Sequence, residues 1–179
     1  MHSLALHQKE RNLISLLRAE VDANEIQAYV LGVSDQLVAL QYVYDFNLDG
    51  LLVIRQQDIT DVRRTETDKF QQKLLAQEGV ENAVPFGLNL PLADWKSVIT
   101  HLASCYPLMI LESELDPDPG FAIGRVLAAT ATRVELLSFS GAGKLCQKPV
   151  RLKYANLTSL QVNTNYANFY QRHFERNAA

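Results

Sequence analysis

The stretches "VIRQQDIT" at residues 53–60 and "PVRLKYANLT" at residues 149–158 share a pattern of residue types. Each has an aliphatic residue followed by Arg, then several polar residues, then an aliphatic residue followed by Thr. Short aliphatic runs broken by polar residues are typical of β-strands joined by tight turns. The repeated order, roughly a hundred residues apart, predicts that the same structural unit is used twice.

The elements around the first stretch indicate what this unit contains. The spacing of leucines predicts an amphipathic helix over residues 4–20, and Phe70, Leu74 and Leu75 predict a second helix over 66–78. Between the helices, short strands are predicted at "IQAYVLGV", "LVALQYVY", "LLVIR" and "DITDV". The order is therefore helix, four or five short strands, helix.

A boundary is predicted at "GVENAVPFGLNLP", residues 79–91, which contains two glycines and two prolines. After it a helix, a set of strand-like segments and a final aromatic-rich helix follow in the same order. The predicted domains are residues 1–80 and residues 88–179, each a helix, a set of short strands and a helix.

Short strands in a flat sheet would leave free edges, and curling into a small barrel removes those edges. Gly124 in "AIGRVL" suits a sharp bend in such a strand. The predicted fold class is α+β, with two tandem small antiparallel β-barrels of strongly bent short strands, each flanked by helices.

Two segments of the first half resemble the signature segments of the Sm-like family, of the LSm/Hfq type. They are "SDQLVALQ" at residues 34–41 and "VIRQQDITDV" at residues 53–62, and the likeness recurs at Gly124, Val150-Arg151 and Leu157-Thr158. The resemblance covers residues 26–63 and 121–162 and implies a small-barrel fold. It does not imply the family's RNA binding. Gln56 and Leu152 stand where RNA-binding members have the Gly of an Arg-Gly pair, and Ala39 stands where the Sm branch has a base-contacting Asn.

Bulk composition indicates a soluble globular protein. Of 179 residues, 47% are apolar and 21% are charged, which is ordinary for a folded domain. Cys105 and Cys146 are isolated, so a disulfide framework is not expected and a reducing cytoplasm is the predicted compartment. The resemblance to the Hfq type implies a bacterial protein. We expect no signal peptide at the N-terminus and no membrane association.

Charge is unevenly distributed along the chain. Residues 1–120 carry 9 Lys and Arg against 18 Asp and Glu, whereas residues 121–179 carry 8 against 2. The two parts could attract each other or be separately solvated, or the basic part could present a face to an acidic partner such as RNA. The sequence leaves these alternatives open.

The candidate nucleic-acid-binding residues are mainly in the basic part. Cationic side chains near an aromatic ring are typical of single-strand binding, and a guanidinium fits phosphate oxygens. The candidates are Lys144, Lys148, Arg151, Lys153, Tyr154 and, in the first half, Arg55. The alternative interpretation is that they are solvated strand residues, with Arg55 paired to a nearby acid such as Asp58.

No catalytic or metal-binding constellation is predicted. "SGAGKL" lacks the first Gly and the final Ser or Thr of a phosphate loop and indicates a hairpin turn. Asp116 and Asp118 in "LDPDPG" predict a rigid turn, and the four histidines, His2 included, are too dispersed to bind a metal together. We therefore expect neither a cofactor nor an enzyme.

The predicted function is that of an interaction or scaffold protein. The expected partner is a protein, either a second copy or another chain, bound through strand edges and helix faces. The alternative is an RNA-binding regulator that uses the basic second half.

Overall fold

A computed structural model describes residues 4–115 and 120–177. The chain divides into two compact units, Met1–Ala93 and Asp94–Ala179. The predicted turn at Asp116 and Asp118, and His2, lie outside the described residues.

The first unit begins and ends with helices around five strands. Its elements are α1 (Leu4–Glu10), β1 (Leu13–Arg18), β2 (Asp22–Val33), β3 (Leu37–Tyr44), β4 (Asn47–Arg55), a 3₁₀ turn (Gln56–Asp58), β5 (Asp61–Arg63), α2 (Glu66–Gln77) and a second 3₁₀ turn (Val80–Ala83).

The second unit repeats this order. Its elements are α3 (Trp95–Cys105), β6 (Met109–Ser113), β7 (Gly120–Ala129), β8 (Arg133–Ser138), β9 (Val150–Lys153), a 3₁₀ turn (Tyr154–Asn156), β10 (Ser159–Val162) and α4 (Asn165–Asn177). In both units the 3₁₀ turn separates the fourth strand from the fifth.

The prediction of one helix over residues 4–20 is wrong beyond Glu10. Arg11 has a left-handed φ of 54°, and the N–H of Asn12 donates to the carbonyl of His7 at 3.0 Å, which ends α1. The chain then enters β1, which lies between β2 and β5. Most of β1 is buried on both faces, so its apolar run mimics the stripe of a helix.

The prediction of two closed small barrels is also wrong. The described strands make one open antiparallel sheet of ten strands, accompanied by four helices. Within the first unit the order is β5-β1-β2-β3-β4, and within the second it is β10-β6-β7-β8-β9. The outermost strands of a unit do not pair with each other, so neither unit closes.

Short, charged strands protect the two ends of the sheet, which does not close. The end strands β5 and β9 have only three and four residues, and each carries exposed charged side chains. Short, charged edge strands discourage indiscriminate pairing without a closed barrel. Free edges therefore do not require this sheet to close into barrels.

Each unit has its own apolar core. In the first unit the buried cluster comes from strands β1 to β4 and includes Ile14, Leu16, Val38, Leu40 and Ile54. In the second unit a cluster of Leu108, Ile110, Ile123, Phe139 and Ala167 packs with Tyr170 and Phe174 of α4. The sheet of each unit thus holds the adjoining turns and helices in place.

Among the described helices, none is long and apolar enough to cross a bilayer.

Candidate interaction surfaces

The edge of β9 is exposed. Its four residues pair with β8 through a register that runs from Leu136↔Val150 to Arg133↔Lys153, and no other described strand lies on its far side. Arg151 and Lys153 are exposed, whereas Leu152 is half-buried. A strand edge with unpaired N–H and C=O groups can accept a strand from another chain.

The edge of β5 is also exposed but carries different charges. Among the described strands β5 pairs with β1 alone. Arg63 contacts Glu25 with a shortest N–O distance of 2.7 Å and Asp61 with one of 3.0 Å. Asp61 and Glu25 therefore share one guanidinium here, and Arg64 follows directly, so carboxylates and guanidinium groups stand together near the β5 edge.

Arg151 does not stand alone on β9. Its Nε lies 3.0 Å from the carboxylate of Glu135, and Arg133 reaches the same oxygen at 3.2 Å. One carboxylate therefore faces two guanidinium groups across β8 and β9. Sequence reasoning missed Arg133 and Glu135, although their alternation on a predicted strand would have placed them on one face.

Arg55 is held by a local acid. It ends β4, and its Nε lies 2.6 Å from Oδ2 of Asp58 in the following 3₁₀ turn. Lys153 ends β9 at the equivalent position, and Asn156 stands where the first unit has Asp58. The structural counterpart of Arg55 is therefore Lys153, not the Arg151 that sequence matching suggests.

A pair of threonines confirms this alignment of the units. Thr60 donates its hydroxyl to the carbonyl of Leu17, and Thr158 donates to the carbonyl of Glu112, each at 3.1 Å. Both threonines follow the 3₁₀ turn and fix it to the first strand of their own unit.

Three predicted lysines are free of local acids. Lys144, Lys148 and Lys153 are exposed, and none has a carboxylate within 4 Å among the residues that the structure describes.

Tyr154 is less available, because its hydroxyl donates to the carbonyl of Thr130 at 3.2 Å. Burial raises the pKa of Tyr154. Of the predicted candidates, Arg55 lies in the first unit and the others lie in the second, with Lys144 on a turn that precedes β9.

That turn packs against α4, a feature that the sequence did not reveal. Within it, the N–H of Gly143 donates to the carbonyl of Ser140 at 2.8 Å, and Gly143 has a left-handed φ of 71°. The hydroxyl of Tyr170 donates to the carbonyl of Gly141 at 2.9 Å. A cavity of about 320 Å³ results, lined by Gly141, Ala142, Gly143, Phe169, Tyr170 and His173; we call it the turn pocket.

The first unit has a larger polar cavity, of about 820 Å³, beside the start of α2. Its carboxylates are Asp22, Glu25, Asp45 and Asp68. Glu25 and Asp68 are already engaged by Arg63 and by hydrogen-bond donors of the same unit. The hydrogen bonds that Asp68 accepts from Ser15 and Gln27 hold the start of α2 to the sheet.

Groups that could do chemistry are sparse in the part of the chain that the structure describes. It holds no cluster of three His, Cys, Asp or Glu side chains able to bind a metal ion. Cys105 and Cys146 are both exposed free thiols.

No family model, no curated protein and no solved structure matches this chain. The resemblance to the Sm-like family stays a prediction from the quoted segments.

Proposed function

We propose that this chain is a non-catalytic interaction protein that associates with further copies of itself through the edges of its sheet. The observation that carries the proposal is that, among the strands that the structure describes, β9 and β5 each have a pairing partner on one side only. Main-chain hydrogen bonds along such an edge supply affinity, and the side chains supply specificity.

Charge favours a second copy as the partner. The β9 edge carries Arg151, which pairs with Glu135, and Lys153, whereas the β5 edge carries the carboxylate of Asp61 beside the guanidinium of Arg63. Lys153 has no carboxylate partner among the described residues, and Asp61 on β5 of a second copy can supply one, so β9 of one copy pairs with β5 of the next. Such a contact is head-to-tail, and it builds a ring if the rotation closes.

Sedimentation tests the association. We expect species that are multiples of 20.1 kDa at micromolar concentration and that dissociate as salt rises. The double variant Arg151→Glu/Lys153→Glu should weaken association about tenfold or more, since about 1.4 kcal/mol corresponds to a factor of ten.

The matched control reverses two exposed helix lysines, Lys73→Glu/Lys96→Glu, and should associate like the unaltered protein. Circular dichroism checks that all variants remain folded. A clean 20.1 kDa monomer at high concentration would contradict the proposal. So would equal weakening by both double variants.

A second candidate function is RNA binding, favoured by the three exposed lysines, for which the described part of the chain offers no acidic partner. We expect short single-stranded RNA to bind and to be released as salt rises, because phosphate contacts displace counterions. Replacing Lys144, Lys148 and Lys153 by Gln should lower affinity at least tenfold, whereas Arg151→Gln should have a smaller effect because Glu135 already neutralises part of its charge. Fluorescence anisotropy measures both, and binding unaffected by salt or by the triple variant would discard this function.

A further inference from the structure

The turn pocket combines features that sheet-edge association does not use. Its floor is the glycine-rich turn, and its walls are aromatic side chains from one face of α4. Phe169 is 63% exposed, and His173 one helical turn later is exposed as well. Large aromatic side chains left open to water beside a cavity offer stacking surfaces to a planar ligand.

The walls are held by contacts within the second unit. The hydroxyl of Tyr170 fixes the turn through Gly141, and the ring of His173 packs against Gly143 so closely that a Cβ there would lie 3.2 Å from Nε2. The ring of Phe139 lies 4.8 Å from that of Tyr170 and ties it to the core. The pocket is therefore supported by the fold and not only by its own exposed residues.

The surroundings of the pocket favour an anion. Lys144 follows the turn directly, and the guanidinium of Arg172 lies 4.5 Å above the ring centroid of Phe169. None of the lining residues is acidic. In the described part of the chain, the N–H groups of Gly141 and Ala142 donate no backbone hydrogen bond, so they can serve a ligand.

We propose that the turn pocket binds a nucleoside phosphate unit. The base stacks on Phe169 beside His173, and the phosphate meets Lys144 and the free N–H groups of the turn. A cavity of about 320 Å³ is at the small end of ligand pockets and suits one base. Tyr170 acts as a positioning residue, because its hydroxyl is already occupied by Gly141.

This inference does not depend on sheet-edge association. It shares Lys144 with the second candidate function, but it needs neither Arg151 nor Lys153. The unit could be a free nucleotide or one residue of a single-stranded RNA, and the experiment separates these sources.

The experiment titrates the full chain with AMP, adenosine, inorganic phosphate and a six-residue oligoadenylate, and follows the amide resonances of residues 141–143 by NMR. We expect AMP to shift these resonances and to bind more tightly than either adenosine or phosphate. Phe169→Ala and Lys144→Gln should each weaken binding about tenfold, as expected for loss of one stacking or phosphate contact.

Phe121→Ala is the matched control, because Phe121 is 56% exposed in the same unit but does not line the pocket. It should bind AMP normally, as should Arg151→Gln/Lys153→Gln. Oligoadenylate binding that is lost in Phe169→Ala, together with weak AMP binding, would support the pocket and identify RNA as the source.

Three results would overturn the proposal: no shift at residues 141–143 with AMP or the oligomer, shifts with phosphate as strong as with AMP, or binding that Phe169→Ala leaves unchanged. Oligomer binding that depends on Lys153 but not on Phe169 would overturn the pocket while retaining the RNA-binding function. Sedimentation of Phe169→Ala should match that of the unaltered protein, which keeps this test separate from sheet-edge association.

Discussion

Replacing Gly124 with alanine is expected to lower the free energy of unfolding of the second unit by about 3 kcal/mol, at the upper end for overpacking. Gly124 of β7 pairs with Ser138 of the neighbouring antiparallel strand β8. A Cβ at this position would lie 2.3 Å from the carbonyl oxygen of Leu137 and 2.9 Å from Cα of Ser138. Both are backbone atoms of a paired strand, so no side-chain rotation relieves the clash and the strands must separate.

Urea denaturation followed by Trp95 fluorescence measures this effect, because Trp95 is a buried residue of the second unit. Gly87→Ala is the matched control, since no heavy atom lies within 4 Å of a Cβ built there. It should change stability by less than about 0.5 kcal/mol. A Gly124→Ala variant as stable as this control would show that β7 and β8 do not approach so closely.

Replacing Asp68 with asparagine is expected to cost the first unit about 3 kcal/mol, since hydrogen bonds to a buried charge are the stronger kind. Asp68 is 1% exposed. Its Oδ1 accepts from Ser15 at 2.8 Å, and its Oδ2 accepts from the backbone N–H of Thr65 at 2.6 Å and from the Thr65 hydroxyl at 2.7 Å. An amide nitrogen in place of either oxygen would face donors and leave them unpaired.

The same carboxylate predicts how stability depends on pH. Burial alone would raise the pKa of Asp68, but the hydrogen bonds from Thr65, Ser15 and Gln27 outweigh it and hold the pKa below its ordinary value. A lowered pKa in the folded state contributes stability above the unfolded pKa of about 3.9, and this contribution is lost as pH falls through the folded value. The unaltered protein should therefore lose stability below about pH 4, and Asp68→Asn should show a flatter acid limb.

Urea midpoints measured by circular dichroism between pH 7 and pH 2 provide the test. Asp35→Asn, at an exposed loop position, should resemble the unaltered protein at pH 7. An acid limb that Asp68→Asn leaves unchanged would mean that this carboxyl does not link protonation to folding.

Sequence patterns predicted most elements whose signals are local. The helix predicted over residues 66–78 is observed as Glu66–Gln77, because Thr65 and Asp68 form a capping box at its start. The strands around the quoted stretches also lie close to where they were expected. The error at β1 arose because a strand buried on both faces has no alternating pattern to distinguish it from a helix.

Closure of the sheet could not be read from the sequence, because it depends on pairing between distant short strands. β5 has three residues and β9 has four, too few to carry a distinctive signal. Small differences in bend and register decide whether such strands meet. Local pattern therefore predicted antiparallel strands correctly and their closure into barrels wrongly.

The candidate surfaces show the same division between local and distant information. Arg55 and Asp58 are three residues apart, and their pairing is one of the interpretations that the sequence allows. The turn pocket is formed by residues 141–143 and by α4, which are distant in the sequence. Residue spacing therefore does not predict that they come into contact. The one available signal was the aromatic face of α4, which extends beyond the Tyr170 and Phe174 that pack on the core and leaves Phe169 exposed.

Hydrogen–deuterium exchange at two protein concentrations, one on each side of the dissociation constant, tests sheet-edge association most directly. We predict that amides of β9 (Val150–Lys153) and β5 (Asp61–Arg63) exchange more slowly in the assembled protein, while those of the internal strands β2 and β3 keep their rates. An assembled species in which neither edge gains protection, or in which protection is confined to the helices, would contradict sheet-edge association.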